Sequence, residues 1–364
     1  MGGGSGVVLH TCPVCGSARF RIVAPETAVR TEINFRADFV NTRVGHRASP
    51  SELKDLTDFM HGLPAPIAAC IRCGLLVRAE DQPRSADHYE HDPNDFALMK
   101  QVYPRYLEAF RHKQSAYHDL LAPHSEVLEL GSHLGAFLQT AEEWNWRPLG
   151  LDVGYDTAAF ARRNGLTVRR ELLEESSVAT GSFDGIFIWN CFEQIAEPAA
   201  TLLCAWRVLR DSGVLVVRVP NALFYRSFAK RFRPGTTNVF AARALAYNNL
   251  LGFPYLYGYT PESLNRLIEN CGFEYLRGYN SELVTTPFPE LTPKIEAEQR
   301  AASAGVAGWS TDRTASTGTL AGPWIELVYR KLGESSLRRR AGRPPRSRAA
   351  ARQRIDPRFL ERAA

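Results

Sequence analysis

Four of the seven cysteines form two pairs whose spacing suits a metal ion. Each pair encloses two residues and is followed by glycine, in Cys12-Pro-Val-Cys15-Gly16 and Cys70-Ile-Arg-Cys73-Gly74. A tight turn lets both thiolates of a pair reach one ion, so the sequence predicts a structural zinc site in which all four ligand positions are filled. Disulfide bonds are the alternative, although no other feature of the sequence indicates an oxidising compartment.

A second group of residues could bind a nucleotide-like ligand. The turn Gly131-Ser132-His133-Leu134-Gly135 follows one apolar segment, and Asp152 lies at the end of the next. Glycines let the backbone approach a ligand, and the N–H groups that open the following helix favour a carboxylate or phosphate. A carboxylate at the second strand end can accept both hydroxyls of a ribose. The combination predicts a site for an adenosine-containing cofactor.

Alternating strands and helices must position these residues. From Ser125 onward the predicted strands are 127–130, 149–153, 183–189 and 214–219, with a short one at Val168, and the predicted helices are 136–144, 157–164 and 198–209. Such alternation predicts right-handed crossovers and a parallel sheet, in which ligands bind at the carboxyl ends of the strands. Upstream of the sheet, an apolar stripe from Phe96 to Phe110 predicts helical structure, which Pro104 either kinks or divides.

The motifs resemble those of Rossmann-like S-adenosylmethionine-dependent methyltransferases. The run Glu129-Leu-Gly131-Ser-His133-Leu-Gly135 is similar to their ExGxGxG first motif, and residues 182–195 resemble their fourth-strand segment. The resemblance covers residues 125–330. The paired cysteines resemble the zinc-binding front module of a subgroup that includes deoxysugar C-methyltransferases. It implies an α/β fold with a Rossmann-like seven-stranded methyltransferase sheet, an N-terminal zinc-binding module and a helical, aromatic lid.

The same resemblance implies roles for the pocket residues. Glu129 would bind the methionine amino group, the turn would approach the methionine carboxylate, and Asp152 would hold the ribose. Leu172 would flank the adenine, and Asn190 and Phe192 would lie beside the reacting methyl group. The full predicted cofactor-binding set is Glu129, Gly131, Ser132, His133, Gly135, Asp152, Val153, Leu172, Asn190 and Phe192.

Two departures from the resembled pattern bear on catalysis. The middle glycine of the first motif is His133, and the Glu-His that follows the fourth strand in that family is Glu193-Gln194 here. A glutamine cannot take a proton, so it cannot replace a histidine base. Methyl transfer needs a positioned base when the acceptor is protonated. The candidates are His133, Glu193 and, from the region before the sheet, a residue such as Tyr89.

Residues 222–260 are the part of the sequence most informative about the acceptor. They contain ten aromatic and five basic residues and no acidic residue. Aromatic faces stack on sugars or bases and arginines bind phosphate, so the segment suits a small anionic acceptor such as a nucleotide-linked sugar. Alternatively, the aromatic side chains are the segment's own core and the basic residues its solvated face.

Composition and charge exclude several classes. The chain has 364 residues, 45% of them hydrophobic, and a net charge of +5, which is typical of a globular protein and excludes fibrous and largely disordered chains. No apolar run is long enough to span a bilayer, and we expect a cytoplasmic protein. The segment from Lys331 to Ala364 is rich in arginine and predicts a disordered tail. Such a tail could touch nucleic acid or anionic lipid, or could simply be solvated.

The sequence therefore predicts four parts. These are a zinc-binding module (1–95), a helical connector (96–124), a methyltransferase domain (125–330, with a lid at 222–260) and a basic tail (331–364). The favoured function is methylation of a small acceptor by in-line transfer, without a nucleic-acid or membrane partner. The alternatives are an RNA or protein methyltransferase that uses the basic tail, and a non-catalytic cofactor-binding scaffold.

Overall fold

The computed structural model describes residues 11–29, 65–79, 96–229, 255–281, 297, 300–302, 304–306 and 320–333. The chain divides into two compact units. The cysteine unit comprises the described residues within Met1–Ser85, Val219–Ser263 and Asn280–Ile325, and the sheet unit comprises those within Ala86–Arg218, Leu264–Tyr279 and Glu326–Ala364. Each unit has a hydrophobic core of its own.

The cysteine unit is built on a small sheet. Its strands are β1 (Phe20–Ala24), β2 (Ile67–Cys70), β3 (Leu76–Arg78) and β9 (Tyr257–Gly258), hydrogen-bonded in that order. All three pairings are antiparallel. The turn between β2 and β3 carries the second cysteine pair, so the sheet itself positions two of the predicted metal ligands.

The sheet unit contains seven strands in the order β10-β11-β8-β7-β4-β5-β6. They are β4 (Glu126–Leu130), β5 (Arg147–Leu151), β6 (Val168–Arg169), β7 (Phe183–Trp189), β8 (Leu209–Pro220), β10 (Phe273–Ser281) and β11 (Trp324–Lys331). The pairings from β8 to β6 are all parallel. This sheet confirms the predicted α/β, Rossmann-like fold class.

The central strands are mostly apolar, as expected where helices cover a parallel sheet on both faces. The side chains of Val127, Leu128 and Ile186 have no solvent exposure. Among the described residues, the helices with assigned bounds are α1 (Phe96–Arg111), α2 (Gln114–Tyr117), α3 (Ala136–Glu143), α4 (Tyr155–Arg163), α5 (Pro198–Val208), α6 (Ala222–Ala229) and α7 (Pro261–Asn270). Among the described helices, none is long and apolar enough to cross a membrane.

Helix α1 positions the loop that follows β4. It continues through Pro104 as one helix, so of the two predicted outcomes the division into two helices is wrong. Its buried stripe of Met99, Tyr103 and Leu107 packs in one cluster with Leu134. The hydroxyl of Tyr103 donates a hydrogen bond of 2.6 Å to Oε1 of Gln139 in α3. The connector is thus an integral part of the sheet unit.

The order of the strands reverses at β4. Its neighbour on one side is β5, which follows it in sequence, and its neighbour on the other side is β7. In open parallel sheets, ligands bind outside the carboxyl ends of the strands at such a reversal. The ends of β4 and β7, with the loops that follow them, are therefore the place to look for a functional site.

Candidate functional site

The glycine-bearing turn and Asp152 lie in direct contact. The backbone N–H of His133 donates a 2.6 Å hydrogen bond to Oδ2 of Asp152. Oδ1 of Asp152 accepts hydrogen bonds from the N–H of Gly154, at 2.8 Å, and from the hydroxyl of Thr157, at 3.0 Å. The two features that predicted a cofactor site are therefore brought together, and the carboxylate of Asp152 is what joins them.

The two glycines of the turn are required by packing as well as by conformation. Both have positive φ, 69° at Gly131 and 78° at Gly135. A Cβ on Gly131 would lie 2.8 Å from the sulfur of Cys191, and one on Gly135 would lie 2.5 Å from Cδ1 of Leu166. The sequence-based argument was close approach to a ligand, whereas the atoms that approach these glycines in the structure are side chains of the protein.

His133 directs its side chain away from the core of the turn. The residue is exposed and has a φ of 48°, in the left-handed region. Its imidazole meets the ring of Tyr106 in α1 edge to face, with ring centroids 5.8 Å apart. The ring does not fill the space between the turn and Asp152, because that contact is made by the backbone N–H.

Two buried glutamates at the ends of β4 and β7 have carboxylate oxygens without a hydrogen-bond partner among the described residues. They are Oε2 of Glu129 and both oxygens of Glu193. Glu129 is 3% exposed and Glu193 is fully buried. Buried acceptors of this kind are rare, because leaving one unsatisfied costs about 1–3 kcal/mol. Because ligands of open parallel sheets bind beyond the carboxyl ends of the strands, these oxygens are candidates for contact with a ligand.

The surroundings of both glutamates disfavour the ionised form. Burial raises the pKa of Glu193 to about 8, and its own backbone N–H, the charge of Arg218 and the side chain of Gln194 oppose this rise. Burial, reinforced by the charge of Asp152, raises the pKa of Glu129 well above its usual range. A carboxyl group with a pKa near neutrality can accept or release a proton under ordinary conditions, which is the property of a general base.

The loop after β7 is held by a buried arginine. Asn190 has a φ of 56°, and its N–H donates a 3.2 Å hydrogen bond to the carbonyl of Arg218. Nη1 of Arg218 also donates to the side-chain oxygen of Asn190. Nε2 of Gln194 donates to the backbone carbonyl of Asn190 at 2.9 Å. The next residues form a short 3-10 turn, Phe192–Gln194, in which Phe192 is fully buried.

Arg218, which holds this loop, belongs to a buried network of charged side chains. Nε of Arg218 lies 3.3 Å from Oε1 of Glu326 in β11, which also accepts a hydrogen bond from Lys113. The hydroxyl of Tyr117 donates to the other oxygen of Glu326. The sequence analysis missed this network. Its signal was a single charged residue in each of two otherwise apolar strand segments, Val-Val-Arg-Val and Trp-Ile-Glu-Leu.

The remaining predicted residues lie at the rim of this region or outside the described residues. Val153 and Leu172 are half-buried, and the carbonyl of Val153 lies 3.4 Å from Nε of Arg170. Ser132 is buried, and its hydroxyl has no hydrogen-bond partner within the described ranges. The third candidate base, Tyr89, lies outside the described residues.

The four paired cysteines converge in the cysteine unit. Their sulfur atoms all lie within 4.8 Å of one another, and the two closest pairs, Cys12 with Cys73 and Cys15 with Cys70, are 3.5 Å apart. That separation is too long for a disulfide bond of about 2.05 Å and suits one tetrahedral zinc ion, whose Zn–S bonds of about 2.3 Å set edges of about 3.8 Å. A hydrogen bond from Cys73 lowers the pKa of Cys12 to about 5, which favours the thiolate that a metal binds.

Comparison with known proteins gives one family and several distant structural likenesses. Residues 99–277 match the model of a methyltransferase domain family. The match begins inside α1 and ends inside β10, so it covers the turn, both glutamates and Asp152. None of the curated proteins matches the sequence.

Solved structures of similar fold cover most of the chain at low identity. A chain of the Haloferax volcanii Trm112 methyltransferase activator complex is 15% identical, with a TM-score of 0.46, over 70% of this chain and all of that one. An S-adenosylmethionine-dependent methyltransferase from Archaeoglobus fulgidus is 16% identical, with a TM-score of 0.41, over 65% and 100% of the two chains. One from Mesorhizobium loti is 17% identical, with a TM-score of 0.41, over 60% and 97%. Likenesses this distant carry no argument about acceptor or mechanism.

Proposed function

We propose that this S-adenosylmethionine-dependent methyltransferase transfers the methyl group in line to a small acceptor that is anionic or contains a sugar. The activity class follows from the matched domain family. The observation that carries the residue roles is that Oε2 of Glu129 and both carboxylate oxygens of Glu193 are buried without a hydrogen-bond partner among the described residues. Buried carboxylates without donors fit a ligand that brings positive charge, as S-adenosylmethionine does with its ammonium and sulfonium groups.

The residues around the turn fit the cofactor in complementary ways. Glu129 would accept a hydrogen bond from the methionine ammonium through Oε2, the oxygen that has no protein donor. A carboxylate has about four acceptor positions, and the protein fills three of those on Asp152. Asp152 would therefore bind one ribose hydroxyl through Oδ2. This is a narrower role than the two hydroxyls expected from the sequence.

The chemistry asks the chain mainly to orient groups and to manage a proton. S-adenosylmethionine supplies a methyl group that is already activated, so the acceptor atom must be held in line with it and water excluded. Asn190, fixed by Arg218, and the buried Phe192 would form the wall at the reacting centre. Glu193 is the proposed base because it is buried next to them and its pKa lies at about 8. His133 is exposed and is the second candidate.

The aromatic segment 222–260 supports the proposed acceptor class only through part of its residues. Phe224, Tyr225 and Phe228 are buried in the core of the cysteine unit, so they do not form an acceptor-binding face. Tyr255 and Tyr257 are half-buried. We assign acceptor binding to these two tyrosines and to Arg231, Arg233 and Arg243. These three arginines lie outside the described residues, and their forked donors suit the phosphates of a nucleotide-linked sugar.

A structural zinc ion at the four cysteines completes the proposal. Four thiolates with mutual distances this short would repel one another, and a divalent cation removes that repulsion. With four protein ligands, no open position is left for a substrate or water, so the ion would stabilise the fold and take no part in methyl transfer.

Calorimetric titration with S-adenosylmethionine tests the proposal. We expect the wild-type protein to bind it and Glu129→Gln to lower the affinity at least about tenfold, the effect of losing a charged hydrogen bond. Glu126→Gln is the matched control. Glu126 lies on the same strand, but its side chain is 37% exposed and pairs with Arg147, so its loss should leave the affinity unchanged. Absence of binding to the wild type, or equal losses in both variants, would contradict the proposed site.

A further inference from the structure

The first described part of the aromatic segment, helix α6, folds against the cysteine sheet. Phe224, Tyr225 and Phe228 of α6 share one buried cluster with Ile67 and Leu76 of strands β2 and β3. All three aromatic side chains are at most 1% exposed. Burying three large aromatic side chains contributes more to the position of a short helix than its own backbone hydrogen bonds do. The position of α6 therefore depends on the strands that carry Cys70 and Cys73.

The other end of the segment is attached to the same strands. Nε of Arg78 donates a 2.7 Å hydrogen bond to the carbonyl of Tyr255, and Tyr257–Gly258 pairs with β3. The two ends also meet each other, because the N–H of Ala222 donates a 2.9 Å hydrogen bond to the carbonyl of Tyr259. Both described ends of the segment are thus attached to the cysteine sheet.

One side chain links α6 directly to a cysteine turn. Nη1 of Arg226 lies 3.3 Å from the position that a Cβ on Gly74 would take, immediately after Cys73. Arg226 is half-buried, so its charge is screened less than that of a fully exposed side chain. Four thiolates around one divalent ion carry a net charge of −2, and a guanidinium that lies beside the turn carrying Cys73 is attracted to that charge.

We propose that Arg226 is a positioning residue that couples metal binding at the four cysteines to the position of helix α6. With a metal ion bound, the guanidinium would be attracted to the second cysteine turn, and α6 with it. Metal binding then orders α6 but leaves the affinity for S-adenosylmethionine unchanged, because the cofactor residues belong to the sheet unit. The coupling rests on the proposed function only in expecting the sheet unit to bind S-adenosylmethionine.

The test measures the order of α6 and the binding of zinc separately. Chymotrypsin cleaves after Phe224, Tyr225 and Phe228, which are protected only while α6 is packed. We expect removal of zinc from the full chain to speed cleavage at these sites about tenfold, with unchanged calorimetric affinity for S-adenosylmethionine. In Arg226→Gln the zinc-loaded protein should already be cleaved faster, and zinc removal should add less.

Reciprocity gives a second readout. If zinc orders α6 through Arg226, then Arg226→Gln must weaken zinc binding by the same coupling factor, about threefold to tenfold in competition with a chromogenic chelator. Arg226→Lys keeps the charge and should restore most of both effects. Arg72→Gln is the matched control. Arg72 donates to the carbonyl of Cys15, so its loss can weaken zinc binding by charge alone but should not expose α6.

Each outcome bears on a different claim. Equal cleavage rates in Arg226→Gln and the wild type, or a zinc-independent cleavage rate, would overturn the coupling. A loss of S-adenosylmethionine affinity on zinc removal would show that the coupling is not restricted to α6. A wild-type protein that binds zinc and protects α6 but does not bind S-adenosylmethionine would contradict the proposed function and leave the coupling standing.

Discussion

Two carboxyl groups that follow strands on either side of β4 differ sharply in the hydrogen bonds they accept. Asp152, after β5, accepts three hydrogen bonds from the protein itself. Glu193, after β7, is fully buried and accepts none from the described residues. Asp152 fixes the glycine-bearing turn to the loop that follows β5. Glu193 is buried with weaker compensation, from its own backbone, the charge of Arg218 and the side chain of Gln194, so burial raises its pKa to about 8.

The contrast separates two reasons for placing an acid at a binding site. A satisfied carboxylate fixes the backbone that a ligand will contact, and it is stabilising before any ligand arrives. An unsatisfied one destabilises the empty protein and is retained when a ligand or a reaction uses it. Position at a strand end does not distinguish the two roles, whereas the number of donors does.

The largest expected effect comes from removing the side chain of Asp152. Asp152→Ala leaves the N–H groups of His133 and Gly154 without their acceptor, so the free energy of unfolding should fall by about 2–4 kcal/mol. Urea denaturation measures this loss. Affinity for S-adenosylmethionine should fall as well, because the turn loses its anchor.

Asp152→Asn calibrates that result. Its single side-chain oxygen can still accept from Gly154 and Thr157, but its amide cannot accept from His133. We expect a loss of unfolding free energy between those of the wild type and the alanine variant. If Asp152→Ala were as stable as the wild type, the hydrogen bonds of Asp152 would not stabilise the fold, and its contrast with Glu193 would fail.

The next largest effect is a gain of stability on replacing Glu193. Glu193→Met replaces a buried, unpartnered carboxyl group by an apolar side chain of similar size, so the free energy of unfolding at pH 8 should rise by about 1–3 kcal/mol. Methyl transfer should be lost if Glu193 is the base. A destabilised Glu193→Met would show that the carboxyl group has a stabilising partner, and the two acids would then be alike.

The pH dependence of stability isolates the charge of Glu193. Its pKa is about 8 in the folded protein and near 4.5 in the unfolded chain, so between these values the folded state binds a proton that the unfolded state has released. Raising the pH from 5 to 8 therefore favours unfolding, by about 1.4 kcal/mol per pH unit from this group. Glu193→Gln should remove this slope from the urea midpoints, while a slope equal to that of the wild type would contradict it.

The sequence predicted those features that depend on local pattern. Strand β7 lies at the predicted residues 183–189, because its apolar residues, bounded by turn residues on both sides, suffice to define it. The convergence of the four cysteines was also predictable, since spacing alone restricts what such pairs can do. Strand β8 begins at Leu209, five residues before its predicted start, because pairing with Phe183 recruits a polar stretch that has no strand pattern of its own.

Properties that depend on distant residues were beyond the sequence. Whether Glu193 has a donor is decided by side chains from other elements, and no local pattern encodes it. The burial of Phe224 and Phe228 depends on strands more than 140 residues upstream in the chain. Aromatic composition alone therefore could not separate an acceptor-binding face from a core, which is why both interpretations remained in the sequence analysis.

The smallest expected effect, a null one, comes from removing the basic tail. Lys331 and Leu332 belong to the fold, because Nζ of Lys331 donates to the carbonyl of Leu209 at 2.6 Å and Nε1 of Trp206 donates to that of Leu332 at 3.1 Å. The chain should therefore be truncated after Gly333. Neither the unfolding free energy nor the affinity for S-adenosylmethionine should change, because both acids of the comparison lie in the sheet unit.

Any salt-dependent binding of a short single-stranded RNA should disappear with the tail. If methyl transfer to RNA by the full chain were lost along with that binding, the acceptor would be a polyanion, and the acceptor assigned to segment 222–260 would be wrong.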